Sequence, residues 1–304
     1  MIQTSIQKRE WRKGELFQNN FNLLKTMTQI TASAVNNLRK ETGAGMMDCK
    51  NALVDAEGDF EKAIDILRKK GQKIAALRVG REAKEGYITA KTCPASDGRN
   101  KGVILILNCE TDFVARNKEF VNFADAIADL ALETQCDSIE EIKSSNLLGS
   151  TVQEGITALI GKIGEKIDLS LFAKIEGASV TAYNHPGNRL ATLLGFNKTT
   201  GNIEQLGKDV AMQIAAMNPI AVDQGDVSQD IIDRELAIGR EQAVLEGKPE
   251  QMADKIAMGK LNKFYKECTL LNQEFIKDNK KTIRQYLNET DKDLSVTSFY
   301  RFAL

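Results

Sequence analysis

The chain contains one histidine, His185, and five scattered cysteines, Cys49, Cys93, Cys109, Cys136 and Cys268. Any Ser-His-Asp or Cys-His relay must therefore run through His185, and a zinc site built from several histidines is excluded. His185 stands in Tyr183-Asn184-His185-Pro186-Gly187, a turn sequence. It reads as a lone acid–base group or as a surface and binding histidine, and the second is preferred because no partner residues accompany it. Cys49 follows Asp48 in an amphipathic run and reads as a small core residue rather than a nucleophile. The nearest approach to a phosphate loop is Gly155 through Ile163. It has one residue too many between its glycines, and Ile163 stands where a magnesium-binding hydroxyl belongs. Carboxylates are plentiful but dispersed, so no pair is singled out for general acid–base work. This points to a binding protein rather than an enzyme, with no catalytic residues, no metal and no cofactor expected.

The segment that asks for a function is Asn108-Cys109-Glu110-Thr111-Asp112-Phe113-Val114-Ala115-Arg116-Asn117. It follows the apolar run Val103–Leu107 and precedes a helical pattern of Phe120, Phe123, Ala124, Ile127 and Leu130. Junctions of this kind are usually polar and exposed, and function concentrates on them. Phe113 either tucks into the core, as most Phe residues do, or stands exposed for a partner. Thr111 and Asp112 favour a turn and a helix start, which makes burial of the whole segment awkward.

The elements that position these residues follow from periodicity. Thr31 caps a helix bearing Val35 and Leu38 that stops at Gly43. A second carries Met46, Met47, Cys49, Ala52, Leu53 and Ala56 to Gly58. Asp59 caps a third, with Phe60, Ala63, Ile64 and Leu67, expected to end at Gly71. Three short helices make a marginal core, better suited to binding than to catalysis. The basic stretch Lys69–Arg81 reads as a solvated linker helix, since no aromatic residues interleave with its charges as nucleic-acid contact would favour. A diffuse repeat then appears. Gly86–Ala90, a turn and Val103–Leu107 precede a helix. Gly177–Tyr183, a turn and Leu190–Phe196 precede another, around Leu206–Met217. Two hairpin-plus-helix copies suggest two related α+β lobes. Ile232, Leu236, Gly239 and Ala243, then Met252, Ile256 and Gly259 across Gly247-Lys248-Pro249, followed by Leu261 and Phe264, predict an antiparallel helical hairpin with a narrow apolar stripe. The tail Ser295–Leu304 reads as a last strand completing the second lobe. Residues 1–26 look like an appendage, disordered or a leader.

With 304 residues the chain has room for two or more domains. A net charge of −1 predicts no bulk attraction to nucleic acid or membrane, and no apolar run approaches the roughly 18 residues of a bilayer span. Odd, dispersed cysteines fit reduced thiols in a cytoplasmic setting.

Three segments carry a family resemblance: Ile30-Thr31-Ala32 through Leu53 with its Met46-Met47-Asp48-Cys49-Lys50 core, Asn108 through Ala115, and Gly247-Lys248-Pro249 through Phe264. On these the chain resembles the bacterial elongation factor Ts family, exchange factors for the translational GTPase elongation factor Tu. The resemblance implies an α+β fold with a ubiquitin-associated-like three-helix domain over residues 27–80. The two-lobed core would be 81–178, then 179–221 with 271–304, and a coiled-coil arm would be inserted at 222–270. It implies that Thr111, Asp112, Phe113 and Val114 form the exchange segment, with Phe113 wedging between helices of elongation factor Tu and disturbing its magnesium and phosphate site. It assigns partner contact to Met46, Met47, Asp48, Lys50, Ile163, Gly164, His185, Phe275 and Ile276. A homodimer or 2:2 assembly is open. No membrane and no direct nucleic-acid contact are expected. The turn His185-Pro186-Gly187-Asn188-Arg189 departs from the family pattern by a Pro and an extra residue, and Glu274 stands where the family commonly has Pro.

Overall fold

A computed structural model describes residues 30–94, 98–134 and 136–304; the appendage read at residues 1–26 lies outside them. Among the described residues there are eleven α-helices and ten strands, every ladder between named strands being antiparallel. The fold is α+β. Its contacts divide into two units, one reaching Arg81 and including Glu154–Lys166, the other Glu82–Gln153 with Ile167–Leu304.

The first unit begins with α1 (Ala32–Thr42), α2 (Met46–Asp55) and α3 (Phe60–Arg78). The expected caps are in place. Thr31 Oγ1 accepts from the Ala34 N–H at 3.1 Å, Gly43 is left-handed with φ 65°, and Asp59 accepts from the Lys62 N–H at 3.1 Å. Val35, Leu38, Cys49, Ala52, Leu53, Ala56 and Ala63 share one core, so Cys49 is a packing residue. One expectation fails: α3 does not stop at Gly71 but runs on through the basic stretch to Arg78. A glycine ends a helix by turning left-handed, and Gly71 does not. It instead admits a neighbour. The helix Val152–Ile163 crosses there, and a Cβ on Gly161 would stand 2.7 Å from the Gly71 Cα. The would-be phosphate loop is thus helix interior.

In the second unit β1 (Glu85–Pro94) and β2 (Asn100–Cys109) pair from Glu85↔Cys109 to Pro94↔Asn100. There follow α4 (Asp112–Ala115), α5 (Lys118–Glu133), α6 (Ile139–Ser144), the short β3 (Asn146–Leu147) and β4 (Ser150–Thr151), then α7, the crossing helix. Next come β5 (Asp168–Gly177), β6 (Ser179–Asn184), β7 (Leu190–Phe196) and α8 (Ile203–Met217). Two three-stranded sheets result, β1-β2-β5 and β10-β7-β6, where β10 is Val296–Ala303. They pack through Ile88, Ile104, Ile106, Ile175, Val180 and Leu193. Helix α5 packs against β1 and β2, and α8 against β6 and β7. Strand β2 is central and covered on both faces, so Gly102 through Cys109 is buried without interruption; this is why its apolar alternation is weak. Strand β5 and helix α7 were not marked by the sequence pattern. The tail is the strand expected, paired with β7.

Helices α9 (Gln229–Leu245) and α10 (Glu250–Cys268) form an antiparallel pair. Gly239 lies against the Ala257 backbone, Arg240 meets Asp254 at 2.5 Å, and Lys260 reaches Gln242 at 2.7 Å. On α9 the buried positions Gly239 and Ala243 are those expected. On α10 they are Leu261, as expected, with Ala253 and Ala257, while Met252 and Gly259 are exposed. The stripe is shifted at Ala253 and Ala257, because the close approach of Gly239 to the Ala257 backbone admits only small side chains there, which an apolar count underweights. After α10 come β8 (Glu274–Phe275), β9 (Asp278–Thr282) and α11 (Ile283–Asn288); Phe275, Ile283 and Leu287 share a core with α8 and β7.

Candidate functional site

The Asn108–Asn117 segment grows from the end of β2. The Asn108 side chain donates to the Glu85 carbonyl at 3.2 Å and accepts from Ser170 Oγ, tying β2 to both neighbouring strands. Cys109, wholly buried, donates through Sγ to the Thr111 carbonyl at 3.1 Å. The same carbonyl accepts from the Ala115 N–H at 3.2 Å, opening the single turn of α4. Asn117 then caps α5 by accepting from the Glu119 N–H at 2.8 Å. One helical turn is too short to hold itself, so its shape comes from these anchors and from Val114, which is buried. Phe113 points the other way and is 83% exposed. Of the two sequence readings of Phe113, the exposed one is correct. Asp112 pairs with Arg116 at 3.1 Å.

The His185 turn is fastened close to the same end of this unit. Asn188, left-handed with φ 52°, accepts from the Ile88 N–H at 2.9 Å and donates back to the Ile88 carbonyl at 3.1 Å. Arg189 forks onto the Glu85 carboxylate, whose residue opposes Cys109 across the ladder. That carboxylate, and more weakly Asp112, raise the Arg189 pKa above its ordinary value. His185 is exposed, its Nδ1 2.9 Å from the Tyr183 hydroxyl. The structure thus brings the His185 turn to the base of the Asn108–Asn117 segment, through Arg189 on Glu85, which opposes Cys109; Arg189 and Glu85 are residues the sequence reading missed. Tyr183 had a signal, since positions i and i+2 of a strand share a face. The Glu85–Arg189 pair, separated by 104 positions, had none.

In the other unit Met46 and Met47 are 53% and 62% exposed, Lys50 is exposed, and Asp48 pairs with Lys70 of α3. Ile163 and Gly164 end α7 within this same unit, Gly164 being left-handed with φ 82°. Lys162 lies over Gly43, where a Cβ would meet its Nζ at 2.5 Å, so the end of α7 sits beside the turn that starts α2. Phe275 and Ile276 part company. Phe275 is buried and stacked on Tyr286 with ring centroids 4.4 Å apart, so its ring is committed to its own core. Ile276 is the exposed member of the pair.

Among the described residues no group of three or more His, Cys, Asp or Glu could hold a metal ion, and no helix is long and apolar enough to cross a membrane. Fold and site together define a two-unit α+β protein that presents an aromatic side chain on an anchored strand-to-helix junction. The family model for elongation factor Ts matches residues 110–304. Elongation factor Ts of Amoebophilus asiaticus is 52% identical over 273 residues, covering 90% of this chain and 98% of that protein. That of Christiangramia forsetii is 48% identical over 91% of this chain and all of its own length. That of Porphyromonas gingivalis is 49% identical over 90% of this chain and 98% of its own. The chain belongs to the elongation factor Ts family.

Proposed function

We propose that this protein is a guanine-nucleotide exchange factor that binds elongation factor Tu in its GDP form and promotes GDP release during translation elongation in the cytoplasm. It acts without a catalytic site of its own. The observation that carries this reading is Phe113, 83% exposed on a turn whose neighbours Cys109 and Val114 are buried. An apolar ring held outward by a rigid base gains free energy only when a partner covers it. Thr111, Asp112, Phe113 and Val114 are the exchange segment. The ring enters between helices of the GTPase and disturbs the magnesium and phosphate contacts that hold GDP.

Such a wedge needs no acid, base or nucleophile. It must bind the nucleotide-free partner better than the GDP-bound one, and by linkage protein and nucleotide then weaken each other equally. Burying one Phe yields about 1.5–3 kcal/mol, too little to drive release and hold the complex, so a wider surface must dock first. Met46, Met47, Asp48, Lys50, Ile163 and Gly164 supply it from one unit. His185 and Ile276 supply it from the other, the unit that carries the wedge. In this reading the three-helix unit is the family's ubiquitin-associated-like domain and the α9–α10 pair its coiled-coil arm. The test is release of fluorescent GDP from elongation factor Tu with and without this protein. Acceleration that saturates with its concentration supports the reading, and unaltered release refutes it.

A further inference from the structure

Helix α8 buries two polar side chains one turn apart, Asp209 and Gln213, 5% and 0% exposed. A buried amide or carboxylate is costly unless its hydrogen bonds are met, and Leu or Met would pack a helix face without that demand. Gln213 spends its bonds on one short segment, and Asp209 reaches the same segment through one of its three. Gln213 Oε1 accepts from the Ile276 N–H at 2.9 Å, and its Nε2 donates to the Glu274 carbonyl and to Gln273 Oε1, each at 3.1 Å. Asp209 accepts from Lys277 Nζ at 2.6 Å, from the Tyr286 hydroxyl at 2.7 Å and from Gln205 at 2.9 Å.

That segment needs outside help. Phe275 opposes Asp278, leaving Ile276 and Lys277 as a two-residue hairpin loop. Such loops match the strand twist when a central residue has positive φ, and neither Ile276 nor Lys277 does. The ladder beyond is irregular at once, jumping from Phe275↔Asp278 to Glu274↔Thr282, so the hairpin cannot hold its own shape. On one flank Phe275 is sunk into the core against Tyr286, and on the other Lys277 is tied to Asp209. Ile276, with its N–H fixed by Gln213, has only the outward direction and is 45% exposed. Burial and the Asp209 carboxylate push the Tyr286 pKa upward, keeping its hydroxyl a donor to this clamp.

We propose that Asp209 and Gln213 are positioning residues for partner docking: from adjacent turns of α8 they lock the Phe275–Asp278 turn so that Ile276 faces the GTPase as an apolar contact. This rests on the reading of Ile276 as a partner residue.

The test is a double-mutant cycle in the full chain, read as affinity for nucleotide-free elongation factor Tu and as hydrogen exchange of the Ile276 amide. Ile276→Ala weakens binding about tenfold, the size of an interface residue worth just over 1 kcal/mol. Gln213→Leu speeds exchange of the Ile276 amide at least about tenfold while amides of β7 keep their protection. It weakens binding by a similar factor in the wild-type background and less than about twofold in the Ile276→Ala background. A general structural defect would weaken both backgrounds alike, and losses that multiply overturn the proposal. Unchanged protection of the Ile276 amide overturns the clamp itself. An Ile276→Ala variant that binds normally removes Ile276 from the interface and leaves the wedge reading of Phe113 untouched. Should Gln213→Leu fail to fold, Asp209→Asn, which keeps the side-chain volume and weakens the tie to Lys277, enters the same cycle with the same expected pattern.

Discussion

Replacing Phe113 by alanine separates a ring that serves a partner from one that serves the fold. At 83% exposure the ring contributes almost nothing to its own unit, so Phe113→Ala changes stability by no more than about 0.5 kcal/mol. On the wedge reading the complex covers the ring, and its loss then removes about 1.5–3 kcal/mol. At 1.36 kcal/mol per decade that is roughly a ten- to 150-fold loss in catalysed GDP release, provided the burial is realised in the release step. The docking residues are untouched, so the loss falls on the maximal release rate more than on the concentration giving half of it. The assay is stopped-flow release of fluorescent GDP from elongation factor Tu over a series of concentrations, beside a thermal melt of the variant. Val114→Ala is the contrast: it removes a buried anchor and lowers stability as well. Release within twofold of wild type for Phe113→Ala, or a melting temperature several degrees lower, would refute the reasoning, because the ring would then be idle or structural.

Further outcomes follow from the same geometry. Tyr183→Phe removes the hydroxyl beside His185 Nδ1 and frees the imidazole to turn; a loss of about 0.5–1.5 kcal/mol in partner affinity is expected, read by titration calorimetry. Burial pushes the Asp209 pKa up, but its bonds to Lys277, Tyr286 and Gln205 outweigh this and leave it below the ordinary carboxylate value. Its stabilisation is therefore complete above about pH 3.9 and lost as pH falls through the folded value. Melting curves should show Asp209→Asn less stable than wild type by roughly 1.5–3 kcal/mol at pH 7, the gap closing in acid below pH 4. Gly161→Leu drives a side chain into the Gly71 backbone and should destabilise the first unit by about 1–3 kcal/mol, measured by denaturant unfolding.

How much was legible beforehand differs by element. The caps at Thr31, Gly43 and Asp59 were readable because they depend on a few adjacent residues. Gly71 misled for the complementary reason: the same residue type ends a helix or admits a neighbour, and which applies depends on a chain crossing about 90 positions later. The α10 stripe slipped because large apolar side chains outweigh alanines in any periodicity, whereas two close helix axes prefer the alanines. Within the site, Tyr183 beside His185 obeys strand alternation, but the fork of Arg189 onto Glu85 joins residues 104 positions apart.

By itself the sequence determined the local chemistry of this protein: its helix starts and stops, its hairpins, the absence of a histidine-based relay beyond His185, and the family motifs around Met46 and Phe113. Those properties reside in short stretches of chain whose neighbours are sequence neighbours. Tertiary structure alone decided which way Phe113 points, that Phe275 faces inward while Ile276 faces out, and that the His185 turn is tied through Glu85 to the strand end that carries Cys109. These are outcomes of competition for burial between distant segments, and only the packed chain settles which side chains win the interior.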